Sequence, residues 1–353
     1  MRRGQRTCLA VSGGADSVAL ARAMVAIAER ENNKDQLLVV AVDHGLRGEE
    51  SAQDAQFVWE LGTRLGVKTR VVKLDRTQLD AQARRCGSLE SAARDARYAA
   101  LVAIAKANGA RWLAVAHHRL DQLETILFRL FRGAGSDGLK GMAQFRPLDD
   151  SLVLARPMLD FGREEILEYL SALEQDYRID SSNASPEFAR NRIRNELIPA
   201  LDSIFPNRWR GAILRLAELS ERADEHFDRE IAELERRLEE EKLKGRRLRA
   251  ALSALNAENS DWVFEDDARR VELPLQPLRD VDDEILLRFF RKLWKERGWA
   301  LGAMGLNEWR RLARAVRTAK GTETFPDAIM LTFAQDDSIR LEKRDPRNSA
   351  KCR

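Results

Sequence analysis

The chain is poor in cysteine and histidine and has no long apolar run, and each scarcity removes a class of protein. Its three cysteines, Cys8, Cys86 and Cys352, stand far apart. No CxxC pair exists, so neither a disulfide framework nor a zinc site is indicated. Cys8 falls in an apolar segment, where a packed core residue is the expectation. No apolar stretch reaches the ~18 residues of a membrane span. Met1-Arg2-Arg3 is followed by a short apolar run that leads straight into glycines, which predicts a buried strand and not a secretion signal. A cytoplasmic protein with no membrane association is expected. Internal repeats and low-complexity tracts are absent. No heptad seam is long enough to force self-association, so the oligomeric state stays open.

What remains is ordinary globular material. The chain has 353 residues, 44% of them hydrophobic, enough for two or three domains with real cores. A net charge of +3 is mildly basic and decides little; local arginine clusters matter more. Strand patterns at Arg6–Val11, Leu37–Val42, Lys68–Leu74 and Trp112–Ala116 alternate with helical patterns at 18–31, 51–66, 88–108 and 121–131. That alternation predicts an α/β domain with a parallel sheet covered on both faces. Residues 133–206 read as loops and short helices. Leu216, Leu219, Ala223, Phe227, Ile231, Leu234 and Leu238 then mark one amphipathic helix with a charged outer face, ending near Gly245. Helical patterns at 283–297 and 307–318 and strand patterns at 325–333 and 338–342 complete a small α+β domain. The expected division is 1–205, a helical connector 206–247, and 248–353.

Ligands of parallel sheets sit beyond the C-terminal strand ends, so the segments after the strands carry most of the chemistry. Ser12-Gly13-Gly14-Ala15-Asp16-Ser17 joins the first strand to a helix. The glycines permit a tight turn and close approach to an anion, and the helix start offers free N–H groups and a positive dipole end. Ser12 and Ser17 can donate to phosphate oxygens. Asp16 can cap the helix or hold Mg2+. The bland alternative is an ordinary strand-to-helix turn. The Lys of a GxxxxGK[ST] loop is missing, which disfavours γ-phosphate transfer of that type. This hexapeptide resembles the SGGxDS fingerprint of the PP-loop pyrophosphatases, which bind ATP, release pyrophosphate and adenylate a substrate.

Further segments narrow the resemblance. They are Asp43-His44-Gly45-Leu46-Arg47, Glu90 with Arg94 and Arg97-Tyr98, His117-His118-Arg119-Leu120-Asp121-Gln122-Leu123-Glu124-Thr125, Arg132-Gly133-Ala134-Gly135, Asp180-Ser181-Ser182-Asn183, and Arg190-Asn191-Arg192-Ile193-Arg194. The set, in this order over about residues 6–205, resembles the bacterial tRNA(Ile)-lysidine synthases. The C-terminal part is similar to that family's first C-terminal domain only weakly. The resemblance implies an N-terminal PP-loop ATPase domain, a C-terminal domain that contacts tRNA, and conversion of a wobble cytidine to lysidine. It implies as partners ATP, Mg2+, L-lysine and an isoleucine tRNA with a CAU anticodon.

The candidate residues follow. Ser12 to Ser17, with His44 and Arg94, would bind the nucleotide. Asp16 and Asp121 are the candidate Mg2+ ligands, Asp121 alternatively holding the lysine ammonium. Asp16, Asp43, His117, His118, Asp121, Arg190 and Arg194 are the candidate catalytic set. Each has a structural alternative: a core histidine, an Asp-Gly turn, a helix cap at Asp121, surface ion pairs for Arg94, or a solvated basic face for Arg190, Arg192 and Arg194. Lys242–Arg249 is a further basic run, open between phosphate contact and solvation. The family pattern HHxDDQxET has an Asp where this chain has Leu120, which leaves the amine site less defined than the nucleotide site. A PP-loop tRNA thiolase is the runner-up, disfavoured by the missing cysteine pairs. A non-catalytic tRNA-binding protein is the other alternative, and the intact phosphate loop counts against it.

Overall fold

The computed structural model describes residues 5–43, 49–86, 89–178, 189–206, 208–255, 269–334 and 337–344. His44 and Asp180–Asn183 lie outside the described residues. The chain divides into two compact units, Met1–Glu221 and Arg222–Arg353.

The first unit opens β1 (Thr7–Ala10), α1 (Ala15–Arg30), β2 (Leu37–Asp43), α2 (Glu49–Arg64), β3 (Lys68–Lys73), α3 (Arg76–Cys86), α4 (Leu89–Ala107), β4 (Trp112–Ala114) and α5 (Arg119–Phe131). It continues through α6 (Ser136–Leu139), β5 (Phe145–Pro147), β6 (Val153–Ala155), α7 (Arg163–Ala172), α8 (Ala189–Arg192), a π-helical turn (Ile193–Leu197) and α9 (Ile198–Ile204). The six strands form one sheet in the order β3-β2-β1-β4-β6-β5. All neighbours are parallel except β5 with β6. Residues 133–206 thus add two strands to the sheet, against the expectation of loops and short helices. Three-residue strands are too short to show a period.

Side-chain alternation along β1 explains the two covered faces. Leu9 points into a core with Val18, Leu20 and Val25 of α1, Val58 and Leu61 of α2, and Ile166 and Leu170 of α7. Cys8 points the other way, against Leu101 and Ala105 of α4 and Leu113, Leu152 and Leu154. Successive side chains of a strand face opposite sides, so a near-continuous apolar strand needs both layers. Cys8 is fully buried, and burial pushes its thiol up to about 12, which leaves it an inert core group.

Chain connections leave β1 toward β2 on one side, while β4 lies on the other. That reversal creates a crevice beyond the C-terminal ends of β1 and β4. The Ser12–Ser17 loop and the His117–Asp121 segment emerge at those two ends.

Helix α10 (Trp209–Leu255) runs past Gly245, and the boundary between the units falls within it. One interior glycine costs about 1 kcal/mol relative to alanine, too little to stop a helix of 47 residues. The second unit adds β7 (Arg270–Pro274), α11 (Leu275–Arg279), α12 (Asp283–Glu296), α13 (Leu306–Thr318), β8 (Glu323–Phe325), β9 (Ile329–Phe333) and β10 (Ser338–Lys343). Its sheet is antiparallel, ordered β7-β10-β9-β8. Pro326 splits the expected 325–333 strand, since a proline cannot donate to the ladder. The core centres on Trp294, packed edge-on against Trp299 and Trp309 at 4.8 and 5.4 Å between centroids.

Candidate active site

The phosphate loop is built by its own backbone. Gly13 sits at φ +93°, a conformation L side chains rarely adopt. Its carbonyl accepts the Arg178 N–H at 2.9 Å. Ser17 Oγ donates to the Gly14 carbonyl at 2.9 Å and accepts the Ser12 N–H at 3.1 Å, while Ser12 Oγ lies 3.3 Å from Ser17 Oγ. Gly14 is the N-cap of α1, and it supplies no side-chain cap. The first-turn N–H groups, led by Ala15, therefore remain available for an anion.

Asp16 points from this loop to the neighbouring strand end. Its Oδ2 lies 3.6 Å from His118 Nε2 and 3.3 Å from an Arg163 guanidinium nitrogen. Burial alone would raise the Asp16 carboxyl, but His118, Arg163 and Arg194 together hold it below the usual carboxylate range. His118 caps α5: its Nδ1 accepts the Leu120 N–H at 3.1 Å, and its own N–H donates to Asp121 Oδ2 at 3.0 Å. With Nδ1 so used, the ring proton sits on Nε2, between Asp16 and Asp121 at 3.6 and 3.7 Å. Burial pulls the His118 pKa down, yet the two carboxylates outweigh it and the net direction is upward.

His117 behaves oppositely. Burial dominates, and with Arg156, Arg94 and Arg190 nearby it overrides the pull of Asp121, lowering the pKa to about 4. Its Nδ1 accepts from Arg156 Nε at 3.2 Å, so it too is a neutral ring presenting Nε2–H. Arg156 is buried and also donates to the Ala143 carbonyl at 2.6 Å.

One helical turn further along α5 lies Glu124, fully buried. Arg190 Nε and Arg194 Nε meet its two oxygens at 3.2 and 2.5 Å. Arg194 also reaches Asp121 Oδ1 at 3.3 Å, and Arg190 donates to Thr125 Oγ1 at 2.9 Å. Arg192, two positions from each, turns elsewhere and pairs with Glu196 at 3.2 Å. Leu123, Leu127, Ile193, Ile198 and Trp209 pack α5 against the segment that carries these arginines, and Leu120 joins this apolar cluster. The side chain at position 120 is therefore half-buried against this packing.

The structure thus brings Ser12, Gly13, Gly14, Ala15, Asp16, Ser17, His118, Asp121, Arg190 and Arg194 into one chain of contacts, with His117 beside it and bonded to Arg156. Asp43 is buried at the end of β2. Arg94 is exposed on α4, its guanidinium 5.8 Å from the Tyr98 ring. Asp121 fills its structural alternative as well, since the same carboxylate caps α5. Arg156, Arg163, Arg178 and the pairing role of Glu124 escaped the sequence reading. Arg163 meets Asp16 across 147 positions, and no local pattern announces such a partner.

Residues 2–201 match the PP-loop domain family, and the chain belongs to it. At a finer level, a tRNA(Ile)-lysidine synthase of Symbiobacterium thermophilum is 41% identical over 233 residues, 66% of this chain and 46% of that protein. One of Geobacter sulfurreducens is 42% identical over 220 residues, 62% of this chain and 44% of that protein. The chain spans about half the length of the curated relatives it matches. Among solved structures, the U34-tRNA thiolase NcsA of Methanococcus maripaludis aligns over 62% of this chain and 73% of its own, at 17% identity and a TM-score of 0.47.

Proposed function

We propose that the chain ligates L-lysine to C2 of the wobble cytidine in an isoleucine tRNA with a CAU anticodon. ATP would be consumed to AMP and pyrophosphate, through an adenylated cytidine. Two lines support this reading. The curated relatives are tRNA(Ile)-lysidine synthases, and the contacts Asp16–His118–Asp121–Arg194–Glu124–Arg190 join the phosphate loop to a second charged centre. That continuous chain of contacts is the observation on which the proposal stands.

The chemistry needs two displacements. The cytosine O2 attacks the α-phosphorus, and the bond to pyrophosphate breaks. The lysine ε-amine then attacks C2, the C2–O bond breaks, and AMP leaves. The Ser12–Ser17 loop and α1 N–H groups would hold the phosphates, with Arg94, Asp43 at the end of β2 and His44 around the nucleotide. Arg190 and Arg194 would face charge on the activated cytidine or the tRNA backbone, in the bidentate manner guanidinium favours. Asp121 would hold either the ammonium or the metal. That ammonium, with an unperturbed pKa near 10.4, must lose a proton before attack. Both imidazoles already spend Nδ1, so we assign this proton to water.

Mg2+ commonly binds one or two carboxylates plus substrate phosphates. Among the described residues no three acidic, His or Cys side chains could hold a metal by themselves. Asp16 and Asp121, both beside His118 Nε2, fit the carboxylate share of such a nucleotide-borne site. When bound, the ion neutralises charge on the triphosphate. Freeing Asp16 for it requires exchange of the Arg163 contact.

Among the described residues no helix is long and apolar enough to cross a membrane. A tRNA substrate would place the protein in the cytoplasm. We assign 1–205 to catalysis, 206–247 to a connector and 248–353 to tRNA contact. Arg310 and Arg314, both exposed and one turn apart on α13, support the last assignment. The test is incorporation of radiolabelled lysine into isoleucine tRNA with a CAU anticodon, beside the methionine tRNA with the same anticodon. Labelling of the first alone supports the reading. ATP cleavage without labelling removes lysine as the amine, and neither labelling nor ATP cleavage sinks the enzyme.

A further inference from the structure

One groove has no part in the function just proposed. It lies between the C-terminal half of α5 and the α8–π-turn segment, and encloses about 470 Å³. Phe128, Phe131, Arg132, Arg192, Ile193 and Leu197 shape it. Arg132 lies over the Phe128 ring at 5.2 Å, and Phe131 is 69% exposed. Arg129 is tied down by the carbonyls of Gly138 and Gly141, which anchors this end of α5. A large aromatic ring left in solvent beside guanidinium groups is a stacking platform of the kind that binds unpaired bases.

Placement and charge select the occupant. Phe131 follows Glu124 by seven helical residues, an axial rise of about 10 Å, or about three stacked base steps of ~3.4 Å. The α8–π-turn segment serves both places: Arg190 and Arg194 turn to Glu124, while Arg192 turns to the groove. Arg132 and Arg192 outnumber Glu196 at the rim, so the groove favours an anionic chain. The Arg192–Glu196 pair is largely exposed, and such pairs exchange at little cost.

We propose that this groove takes an unpaired nucleobase about three steps from the reacting one in the same RNA strand. The base stacks on Phe131 and the Phe128–Arg132 pair, and Arg192 meets a flanking phosphate. The inference rests on the tRNA-modifying function proposed above. The test uses the full chain and an anticodon stem-loop RNA with a CAU triplet, the loop base about three steps from the reacting cytidine replaced by fluorescent 2-aminopurine.

Wild type and Phe131→Tyr quench the fluorophore on binding. Phe131→Ala abolishes the quench and weakens RNA binding by roughly 5- to 150-fold, with ATP binding unchanged. Phe131 is exposed, so its truncation leaves the fold intact. Equal RNA affinity and equal quenching in Phe131→Ala overturn the groove assignment, while lysine labelling by the same preparation shows that the enzyme reading survives. Failure of the wild type both to bind RNA and to label it removes the two together. A changed sedimentation coefficient in Phe131→Ala with unchanged RNA binding marks the groove as a contact between copies of the chain and also overturns the proposal.

Discussion

Glu124→Gln removes one charge from a fully buried position while keeping its volume. In the native arrangement two guanidinium groups share this carboxylate, at 3.2 and 2.5 Å. Opposite charges about 4 Å apart attract by about 4 kcal/mol at an effective dielectric of 20, and desolvation of the carboxylate offsets much of that. Removing one partner of a buried ion pair costs about 3–5 kcal/mol. Arg190 and Arg194 each keep about a third of their side chain in solvent, so they recover hydration and the low end, about 3 kcal/mol, is expected. Amide hydrogen exchange of β1 and α5, read by mass spectrometry on the full chain, reports the stability of this unit by itself. The expected result is faster exchange by roughly 150-fold, from 1.4 kcal/mol per decade. Asp80→Asn, in the same unit, is the control: its pair with Arg76 is half-exposed on both sides, and a change below about 1 kcal/mol is expected. Exchange in Glu124→Gln within twofold of wild type would refute the claim that this buried charge organises the two arginines.

Four other outcomes follow from the same geometry. In Asp16→Asn, His118 loses a carboxylate that holds its pKa up, so its imidazole signals titrate at lower pH by NMR, and tRNA-dependent ATP cleavage falls by about 10²–10³; an unmoved titration contradicts the pairing. The raised His118 pKa means its stabilisation is full below the unfolded value near 6.5 and is lost as pH rises through the folded value. His117, lowered to about 4, acts with the opposite sign: its neutral burial costs stability as pH falls from about 6.5 toward 4. His117→Gln should therefore flatten the acid limb of a stability–pH curve, and His118→Gln the limb above it; unchanged curves exclude both assignments. Leu120→Asp pushes a carboxylate against Leu123 and Leu127 and lowers stability by about 1–3 kcal/mol in denaturant titration; a neutral effect shows that the position faces open solvent.

The sequence by itself determined the layered α/β unit, because strands buried on both faces must read as continuous apolar runs between amphipathic helices. It also determined the phosphate loop, since Gly13 and the start of α1 are local in the chain and their conformations depend on near neighbours. Arg190 and Arg194 were legible as a pair from helical spacing alone. Tertiary structure decided what that pair holds, since Glu124 lies more than 60 positions away. It also set opposite titration for two adjacent histidines. His118 is flanked by carboxylates from two strand ends, whereas at His117 burial dominates and arginines from several elements reinforce it. Charge state in a crevice is a sum over groups gathered by the fold, and no local pattern encodes that sum. The strands at 145–147 and 153–155 were invisible for a related reason: three residues carry no period, and only the existing sheet edge at β4 recruits them.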